Sequence, residues 1–218
     1  MHDGGALILA VILCPVLGYV MGSLPWGLWL GQWFKGVDVR TVGSLNLGAT
    51  NVYRSLGPAL GITTLLLDMS KGALPVWLVP ASPIADRFPG GPEACGLAVG
   101  LAAVAGHVWS FLAGFKGGKG VATTAGVLLA LAPRAFAVFA AVFVVTVALT
   151  RYISLGSVLG ALAFSIALAF VTPAGVKGPT FAFGVLLAAV VVVRHRENLR
   201  RLARGSERRF SWRGGANS

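Results

Sequence analysis

The chain is poor in charge, cysteine and carboxylate clusters, and each shortage excludes a class of protein. Charged residues make up 11% of its 218 residues, far below the level of a soluble globular domain. Its two cysteines, Cys14 and Cys95, lie in apolar stretches, so we interpret them as small buried hydrophobic residues rather than a disulfide or metal pair. Asp38 stands alone rather than in a carboxylate cluster, and we expect neither a metal ion nor another cofactor.

Apolar residues fill most of the chain instead. Hydrophobic residues make up 56% of the sequence, which indicates an integral membrane protein. A spanning helix needs about 20 apolar residues, and clear candidates lie near 6–31, 56–80, 93–113, 152–172 and 180–194. The first residues lack the basic region and the small-residue cleavage site of a secretory signal, so we expect the first apolar run to stay as a membrane helix.

The basic residues predict the topology. The net charge is +11, and many of the basic residues lie between apolar runs or in the tail. Since such residues favour the cytoplasmic side, we place the loop with Lys116 and Lys119 and the arginine-rich tail there. If 152–172 and 180–194 form one down-and-up pair, Arg151 is cytoplasmic too. An even number of crossings must then separate Lys119 from Arg151, so the stretch 121–150 is predicted to form two short helices turning near Pro133. The expected fold is an all-α integral membrane protein with seven transmembrane helices, its N-terminus outside and its C-terminus cytoplasmic, with 1–218 as a single domain.

Three polar segments fall on the cytoplasmic side of this topology, at about 35–57, 114–123 and 194–210. They are rich in glycine, hydroxyl, amide and cationic groups, which are the groups that hold phosphate oxygens. The first segment interleaves its small polar residues with glycine between two arginines, as a substrate cradle does, although such residues also form local turns. The residues in question are Ser44, Asn46, Thr50 and Asn51, between Arg40 and Arg54.

The second segment begins with the glycine loop, residues 114–120 of the stretch "GFKGGKGVATTAG" at 114–126. Gly117 and Gly118 permit a positive φ and let the backbone approach a ligand closely. Lys119 adds a charge directly before a predicted helix N-terminus, which favours an anion site. The loop is not a Walker A motif, because the residue five before Gly118 is Ala113 and Gly120 follows Lys119. An ordinary positively charged turn is the alternative.

The third segment carries His195 and Asn198, three positions apart and therefore on one face of a predicted helix. An interfacial anchoring role is the alternative for His195. Glu207 lies among arginines, and we expect an ion pair that holds the tail.

Several polar residues lie inside or beside the apolar runs. Asp68 and Lys71 are three apart and are predicted to pair, with a structural role. His107 precedes the glycine loop and is a weaker site candidate. Ser154 and Ser157 follow Arg151, and either hydroxyl can instead bond its own backbone.

Five motifs carry a resemblance that covers nearly the whole chain. They are "GSLPWG" at 22–27, "VGSLNLGATNVYRSLG" at 42–57, "LDMSKGALP" at 67–75, "GHVW" with "GFKGGKGVAT" within 106–123, and "RHRENLRRLARGSERRF" at 194–210. In this order they resemble the bacterial acyl-phosphate:glycerol-3-phosphate acyltransferase family, of PlsY type. The sequence departs from the family pattern at Leu45, where the family has glycine, and in "WSFLAG" at 109–114, where it has a proline-containing stretch.

The resemblance implies a multi-pass enzyme of the bacterial inner membrane whose active site faces the cytoplasm. Such an enzyme transfers a fatty acyl group from acyl phosphate to the sn-1 hydroxyl of glycerol 3-phosphate, giving lysophosphatidic acid and phosphate in phospholipid biosynthesis. The motifs and the residue types together give the candidate site. The candidate catalytic residues are Ser44, Lys119, His195 and Asn198, and the candidate substrate-binding residues are Asn46, Thr50, Asn51, Arg54, Gly117, Gly118, Gly120 and Ser157.

Acyl phosphate is already an activated mixed anhydride, so we expect no covalent acyl-enzyme and catalysis by orientation and electrostatic stabilisation. Either His195 or the phosphate of the donor can take the proton from the glycerol hydroxyl, and we favour the phosphate. Expected partners are the two substrates and the lipid bilayer, with the soluble enzyme that makes acyl phosphate as a further candidate and no nucleic acid. The rival function is a small transporter of an organic anion or phosphate ester, which requires polar groups near the membrane midplane.

Overall fold

The computed structural model describes residues 4–171 and 178–211, which are helical over most of their length. The chain divides into two compact units, the first reaching to Leu131 and the second beginning at Ala132. The first unit also has two short 3₁₀ helices, Ala85–Arg87 and Phe111–Ala113. Its α-helices are α1 Gly4–Gly22, α2 Trp26–Lys35, α3 Ala49–Leu56, α4 Pro58–Leu78, α5 Gly91–Val108 and α6 Val121–Leu131; those of the second are α7 Pro133–Thr150, α8 Ile153–Val171, α9 Pro179–Arg194 and α10 Arg196–Ala203.

Glycine contacts hold α1 against α5 in the first unit. A side chain on Gly18 would lie 2.5 Å from the carbonyl oxygen of Val99, and one on Gly22 would overlap the carbonyl of Ala103. On α5, Gly106 meets the carbonyl of Tyr19 in the same way. Small residues at such positions let two membrane helices approach closely. This contact fixes the end of α5, from which the glycine loop continues.

A second close contact holds α4 against α6. Gly72 of α4 faces the carbonyl of Thr123, and Gly126 of α6 faces the carbonyl of Met69, so neither position has room for a side chain. Asp68 and Lys71 lie on this part of α4 and are buried. The second unit follows the same rule, since Gly160 of α8 packs on the Phe139 ring of α7.

The structure confirms the predicted turn at Pro133, because α6 ends at Leu131 and α7 begins at Pro133. The apolar run 6–31 is not one helix, since α1 ends at Gly22 and α2 begins only after Pro25. The continuous apolar pattern did not reveal this break. The segment 35–57 is not a loop throughout, because its last residues form α3.

The helices are those of a multi-pass membrane protein. Among the described residues, four stretches are long and apolar enough to cross a bilayer: Gly4–Lys35, Gly91–Ala113, Pro133–Thr150 and Ile153–Val171. A fifth is present if α9 and α10, which are bent by 57°, count as one stretch. Helix α6 is apolar but only 11 residues long.

Candidate active site

The side chain of Asn51 holds the first loop, residues 36–48, by hydrogen bonds to its backbone. Its side-chain oxygen accepts the backbone N–H of Ser44 at 2.7 Å, and its side-chain nitrogen lies 2.9 Å, 3.1 Å and 2.9 Å from the carbonyl oxygens of Val39, Val42 and Asn46. The residue is 2% exposed. Both ends of the amide are thus engaged within the loop, which is the bonding expected of a side chain that positions the loop.

The exposed part of the first loop has a left-handed backbone. Gly43 has φ 61° and Leu45 has φ 59°, and Leu45 is 64% exposed. A left-handed conformation costs an L residue with a side chain about 1–2 kcal/mol, whereas glycine adopts it freely. The departure from the family's glycine at Leu45 therefore falls at a position where the backbone conformation itself favours glycine. Ser44, between these two residues, is exposed to solvent.

The two other candidates of this segment lie on α3. Thr50 and Arg54 are one helical turn apart and therefore share a face, and both are half-buried. Asn46 lies just before this helix and accepts the backbone N–H of Gly48 at 2.9 Å. The loop thus ends in a local side-chain turn, which was one of the two interpretations of its composition.

An ion pair and a small core tie the first loop to the chain before the glycine loop. The Arg40 guanidinium lies 2.7 Å from the Asp38 carboxylate and also donates to the carbonyl of Ala113 at 3.3 Å. The side-chain hydrogen bond from Arg40 holds the pKa of Asp38 below its ordinary value. Beneath the pair, Val39 and Ala113 belong to one apolar cluster, completed by Leu28, Leu47 and Val52.

The glycine loop, residues 114–120, folds back onto the end of α5. Gly117 donates its N–H to the carbonyl of Val108 at 3.2 Å, and Gly118 donates to the carbonyl of His107 at 3.1 Å. A side chain on Gly117 would overlap the His107 carbonyl, and one on Gly118 would overlap Nε2 of the His107 ring. These two glycines are therefore required because the loop backbone packs directly on α5.

The backbone conformation of this loop corrects one expectation. We expected Gly117 and Gly118 to provide the positive φ angles, but these occur at Gly114, Phe115 and Gly120. Helix α6 begins at Val121 as predicted, and its first hydrogen bonds include Thr124 N–H to the Gly120 carbonyl at 2.7 Å. Lys119 is half-buried directly before this helix N-terminus. Lys119 thus precedes, with Gly120 between them, the start of a helix whose free N–H groups favour anions.

A pocket lies among the helices and loops of the first unit. Its apolar lining is Leu24, Pro25, Trp26, Gly27 and Leu47, and its polar lining is Asp68, Lys71, His107, Ser110 and the backbone of Gly118. The pocket is thus bounded by the first loop through Leu47 and by the glycine loop through Gly118.

Three of the polar pocket residues form a buried cluster. The ammonium of Lys71 lies 2.8 Å from Oδ1 of Asp68, as the spacing predicted, and donates to the carbonyl of Leu24 at 2.7 Å. Nδ1 of His107 lies 3.7 Å from the same Asp68 oxygen. Sequence reasoning gave Asp68 and Lys71 a structural role only and rated His107 as a weak candidate. All three residues belong to the motifs "LDMSKG" and "GHVW", but the sequence does not show that they meet. The packing of α4 on α5 brings the three side chains together.

In the second unit, the carboxylate of Glu207 is the centre of a hydrogen-bond network. It accepts Ser154 Oγ–H at 2.8 Å, Asn198 Nδ2–H at 2.6 Å and Arg201 Nε–H at 2.8 Å. Burial raises the pKa of Glu207, but these three hydrogen bonds outweigh it and hold the pKa below its ordinary value. The predicted ion pair is confirmed, and it fixes the tail on α8 and α10.

His195 lies at the bend between α9 and α10, not inside a single helix as expected. Its Nδ1 lies 2.8 Å from the carbonyl oxygen of Val191. A carbonyl only accepts hydrogen bonds, so Nδ1 is the ring nitrogen that donates in this contact. Asn198 follows in the first turn of α10, and both residues are buried.

Ser157 uses its hydroxyl locally. It donates to the carbonyl of Ile153 at 2.8 Å and is 1% exposed, so the structure adopts the backbone-bonded alternative. The candidates thus form two sets. The first unit holds Ser44, Asn46, Thr50, Asn51, Arg54, Gly117, Gly118, Lys119 and Gly120, and the second holds Ser157, His195 and Asn198.

Comparisons with known proteins agree with one another. Residues 12–205 match the family model described as glycerol-3-phosphate acyltransferase. A glycerol-3-phosphate acyltransferase of Geobacter sulfurreducens is 44% identical over 91% of this chain and 97% of its own length, and one of Myxococcus xanthus is 47% identical over 89% and 97%.

Two solved structures are also similar, both of PlsY (YgiH), an integral membrane glycerol 3-phosphate acyltransferase. Its glycerol 3-phosphate form is 36% identical with a TM-score of 0.81, and its lysophosphatidic acid form is 34% identical with a TM-score of 0.79. Each alignment covers 92% of this chain and 95% of the solved chain.

Proposed function

Since the chain belongs to the glycerol-3-phosphate acyltransferase family and is a multi-pass membrane acyltransferase, we propose that it takes its acyl group from acyl phosphate and places it on the sn-1 hydroxyl of glycerol 3-phosphate. The products are lysophosphatidic acid and inorganic phosphate. The observation that carries this proposal is the glycine loop, where Lys119 stands directly before the N-terminus of α6. The transporter alternative loses its support, because the matching family model, the relatives and the solved structures are all acyltransferases.

Both proposed substrates carry phosphate, and the first unit supplies the groups that phosphate needs. Lys119 contributes a charge, the first turn of α6 contributes N–H groups, and Arg54 adds a guanidinium on α3. Ser44 adds an exposed hydroxyl on a loop whose backbone is fixed by Asn51. Groups fixed in advance around developing charge are the main source of acceleration in acyl transfer.

The reaction proceeds without a covalent enzyme intermediate. The sn-1 oxygen forms a bond to the acyl carbon, the bond from that carbon to the phosphate oxygen breaks, and phosphate leaves with the electron pair. We propose that the leaving phosphate accepts the hydroxyl proton and departs as hydrogen phosphate. The protein then contributes orientation and charge stabilisation, which suffice for an activated anhydride.

We propose that His195 and Asn198 also take part in the reaction. In the neutral ring of His195, Nε2 is the atom able to accept a proton, so a general-base role is chemically open to it. We instead assign His195 to positioning the phosphate. If His195→Ala abolishes turnover while both substrates bind normally, the general-base assignment replaces ours.

We further propose the orientation that the basic residues predicted: seven crossings, the N-terminus outside, the C-terminus and the three polar segments cytoplasmic, and the inner membrane as the location. Single cysteines placed at exposed Lys116 and Arg208, in a background in which Cys14 and Cys95 are alanine, test the orientation by labelling of intact cells. Labelling of either site by a membrane-impermeant maleimide in intact cells would refute it.

The function is tested by a pair of variants on one loop. Lys119→Ala is expected to lower kcat/KM by about 10²–10³-fold, the usual cost of removing one charge-stabilising group. Lys116→Ala is the matched control, because Lys116 lies on the same loop but is exposed, and it is expected to keep activity within about threefold of the wild type. Equal losses in the two variants would contradict the role of Lys119.

A further inference from the structure

We propose, resting on the proposed function, that the buried Asp68–Lys71–His107 cluster is a positioning device that supports the glycine loop from beneath and thereby sets where Lys119 stands. None of the three needs to touch a substrate for this role. They act through Gly118, which packs on the His107 ring and immediately precedes Lys119.

The lower end of the cluster is anchored at the break between α1 and α2. Lys71 reaches across from α4 and donates to the carbonyl of Leu24 at 2.7 Å, while its ammonium lies 2.8 Å from Asp68. The side chains of Lys71 and Asp68 are 3% and 2% exposed. Three elements, α1, α2 and α4, are thus joined at one charged pair.

The upper end of the cluster carries the loop. His107 lies with Nδ1 3.7 Å from the Asp68 carboxylate and with Nε2 against Gly118. The carbonyl of His107 accepts the N–H of Gly118 at 3.1 Å, and the next carbonyl, of Val108, accepts the N–H of Gly117 at 3.2 Å. The His107 side chain and backbone therefore hold the same glycine from two directions.

A purely structural role does not account for this arrangement. Replacing a buried ion pair by apolar residues of similar volume is often neutral or stabilising, so stability alone is a weak reason to bury Asp68 and Lys71. Both side chains also border the pocket rather than only the helix contact. A charged pair can fix the orientation of the His107 ring against the loop, because polar contacts are directional, whereas apolar packing is not.

The first test adds a methyl group to the loop at Gly118, with the His107 ring present and with it removed. Gly118→Ala in the wild type places a methyl group against His107 Nε2 and is expected to lower kcat/KM at least tenfold. In a His107→Ala background the ring is absent, so the loss caused by the same change is expected to be at least threefold smaller than in the wild type. Gly96→Ala is the control, because Gly96 lies on the same helix as His107. A Cβ at Gly96 would lie 3.4 Å from Pro80 and 3.5 Å from Leu131, which are ordinary contact distances. Equal losses from Gly118→Ala in both backgrounds would overturn the proposal.

The second test separates positioning from folding. The double variant Asp68→Asn/Lys71→Met contains no unpaired buried charge but leaves the Leu24 carbonyl without the Lys71 donor, so its thermal midpoint is expected to fall only modestly below that of the wild type. Hydrogen exchange of the 114–120 segment is expected to become at least tenfold faster, and kcat/KM to fall at least tenfold. Retained protection and activity would overturn the proposal. If this variant does not fold, the comparison of Gly118→Ala in the wild type and in the His107→Ala background tests the proposal.

The outcomes distinguish this proposal from the function on which it rests. A wild-type protein that is inactive with acyl phosphate and glycerol 3-phosphate refutes the proposed donor. An active wild type whose His107 and Gly118 changes are simply additive refutes only the positioning role.

Discussion

Asn51 gives the sharpest prediction about how the first loop is built. Asn51→Ala removes the acceptor of the Ser44 N–H and the donor shared among the carbonyls of Val39, Val42 and Asn46. A typical hydrogen bond contributes about 1 kcal/mol net, and a buried group left without a partner costs about 1–3 kcal/mol. Asn51→Ala loses two donor protons and one acceptor, but water can replace part of these hydrogen bonds. We therefore expect the free energy of opening the first loop to fall by about 2–3 kcal/mol.

That cost predicts a measurable change in the absence of any substrate. Since about 1.4 kcal/mol is a factor of ten in an equilibrium constant, amide exchange over residues 42–48 is expected to accelerate about 30–150-fold in Asn51→Ala. Hydrogen-exchange mass spectrometry in detergent measures this directly. Asn51→Asp is the comparison variant, because its carboxylate keeps the acceptor for the Ser44 N–H but sets a buried negative oxygen against the carbonyl oxygens of Val39, Val42 and Asn46, and an acceleration at least as large as in Asn51→Ala is expected. Unchanged exchange combined with weaker substrate binding would show that Asn51 is a direct ligand and refute the positioning role.

Two further predictions concern the loop backbone and the tail. Leu45→Gly relieves about 1–2 kcal/mol of left-handed strain but costs about 0.5–1 kcal/mol in chain entropy lost on folding. The thermal midpoint of Leu45→Gly is therefore expected to equal or exceed that of the wild type, whereas β-branched Leu45→Val is expected to lower it. The reverse order would contradict the φ of 59°. The Glu207 carboxylate has a folded pKa below its unfolded value near 4.3, so its stabilisation is present above that pH and is lost as pH falls through the lower folded pKa. The difference in thermal midpoint between wild type and Glu207→Gln is therefore expected to be full at pH 7 and to shrink below about pH 4.3, and a difference that grows on acidification would refute the network around Glu207.

Parts of the structure were predictable because their causes are local in the sequence. Pro133 ends one apolar run and starts another, since proline fits the first turn of a helix but not its interior. The i,i+3 spacing of Asp68 and Lys71 predicted their pair, and the surplus of arginine around Glu207 predicted its ion pair. In each case the residues that decide the outcome are near one another along the chain.

Other features depend on contacts between distant segments and were not predictable. Gly117 and Gly118 were expected to allow a positive φ, but the positive φ angles lie elsewhere in the loop, and the close contacts of both glycines with the carbonyls and ring at the end of α5 were not predicted. The hydrogen bonds of Asn51 to the first loop were also not predicted, because an amide binds phosphate and organises turns equally well. The break after Gly22 lies within a continuous apolar pattern, so hydropathy gave no signal for it.

The most direct test of the central claim is acyl transfer by the purified protein supplied with palmitoyl phosphate and glycerol 3-phosphate. Phosphate release and lysophosphatidic acid are measured together, with palmitoyl-CoA as the alternative donor and with the acceptor omitted as the control. The account predicts equal amounts of both products from palmitoyl phosphate, none without glycerol 3-phosphate and none from palmitoyl-CoA. Lysophosphatidic acid formed from palmitoyl-CoA but not from palmitoyl phosphate would contradict it.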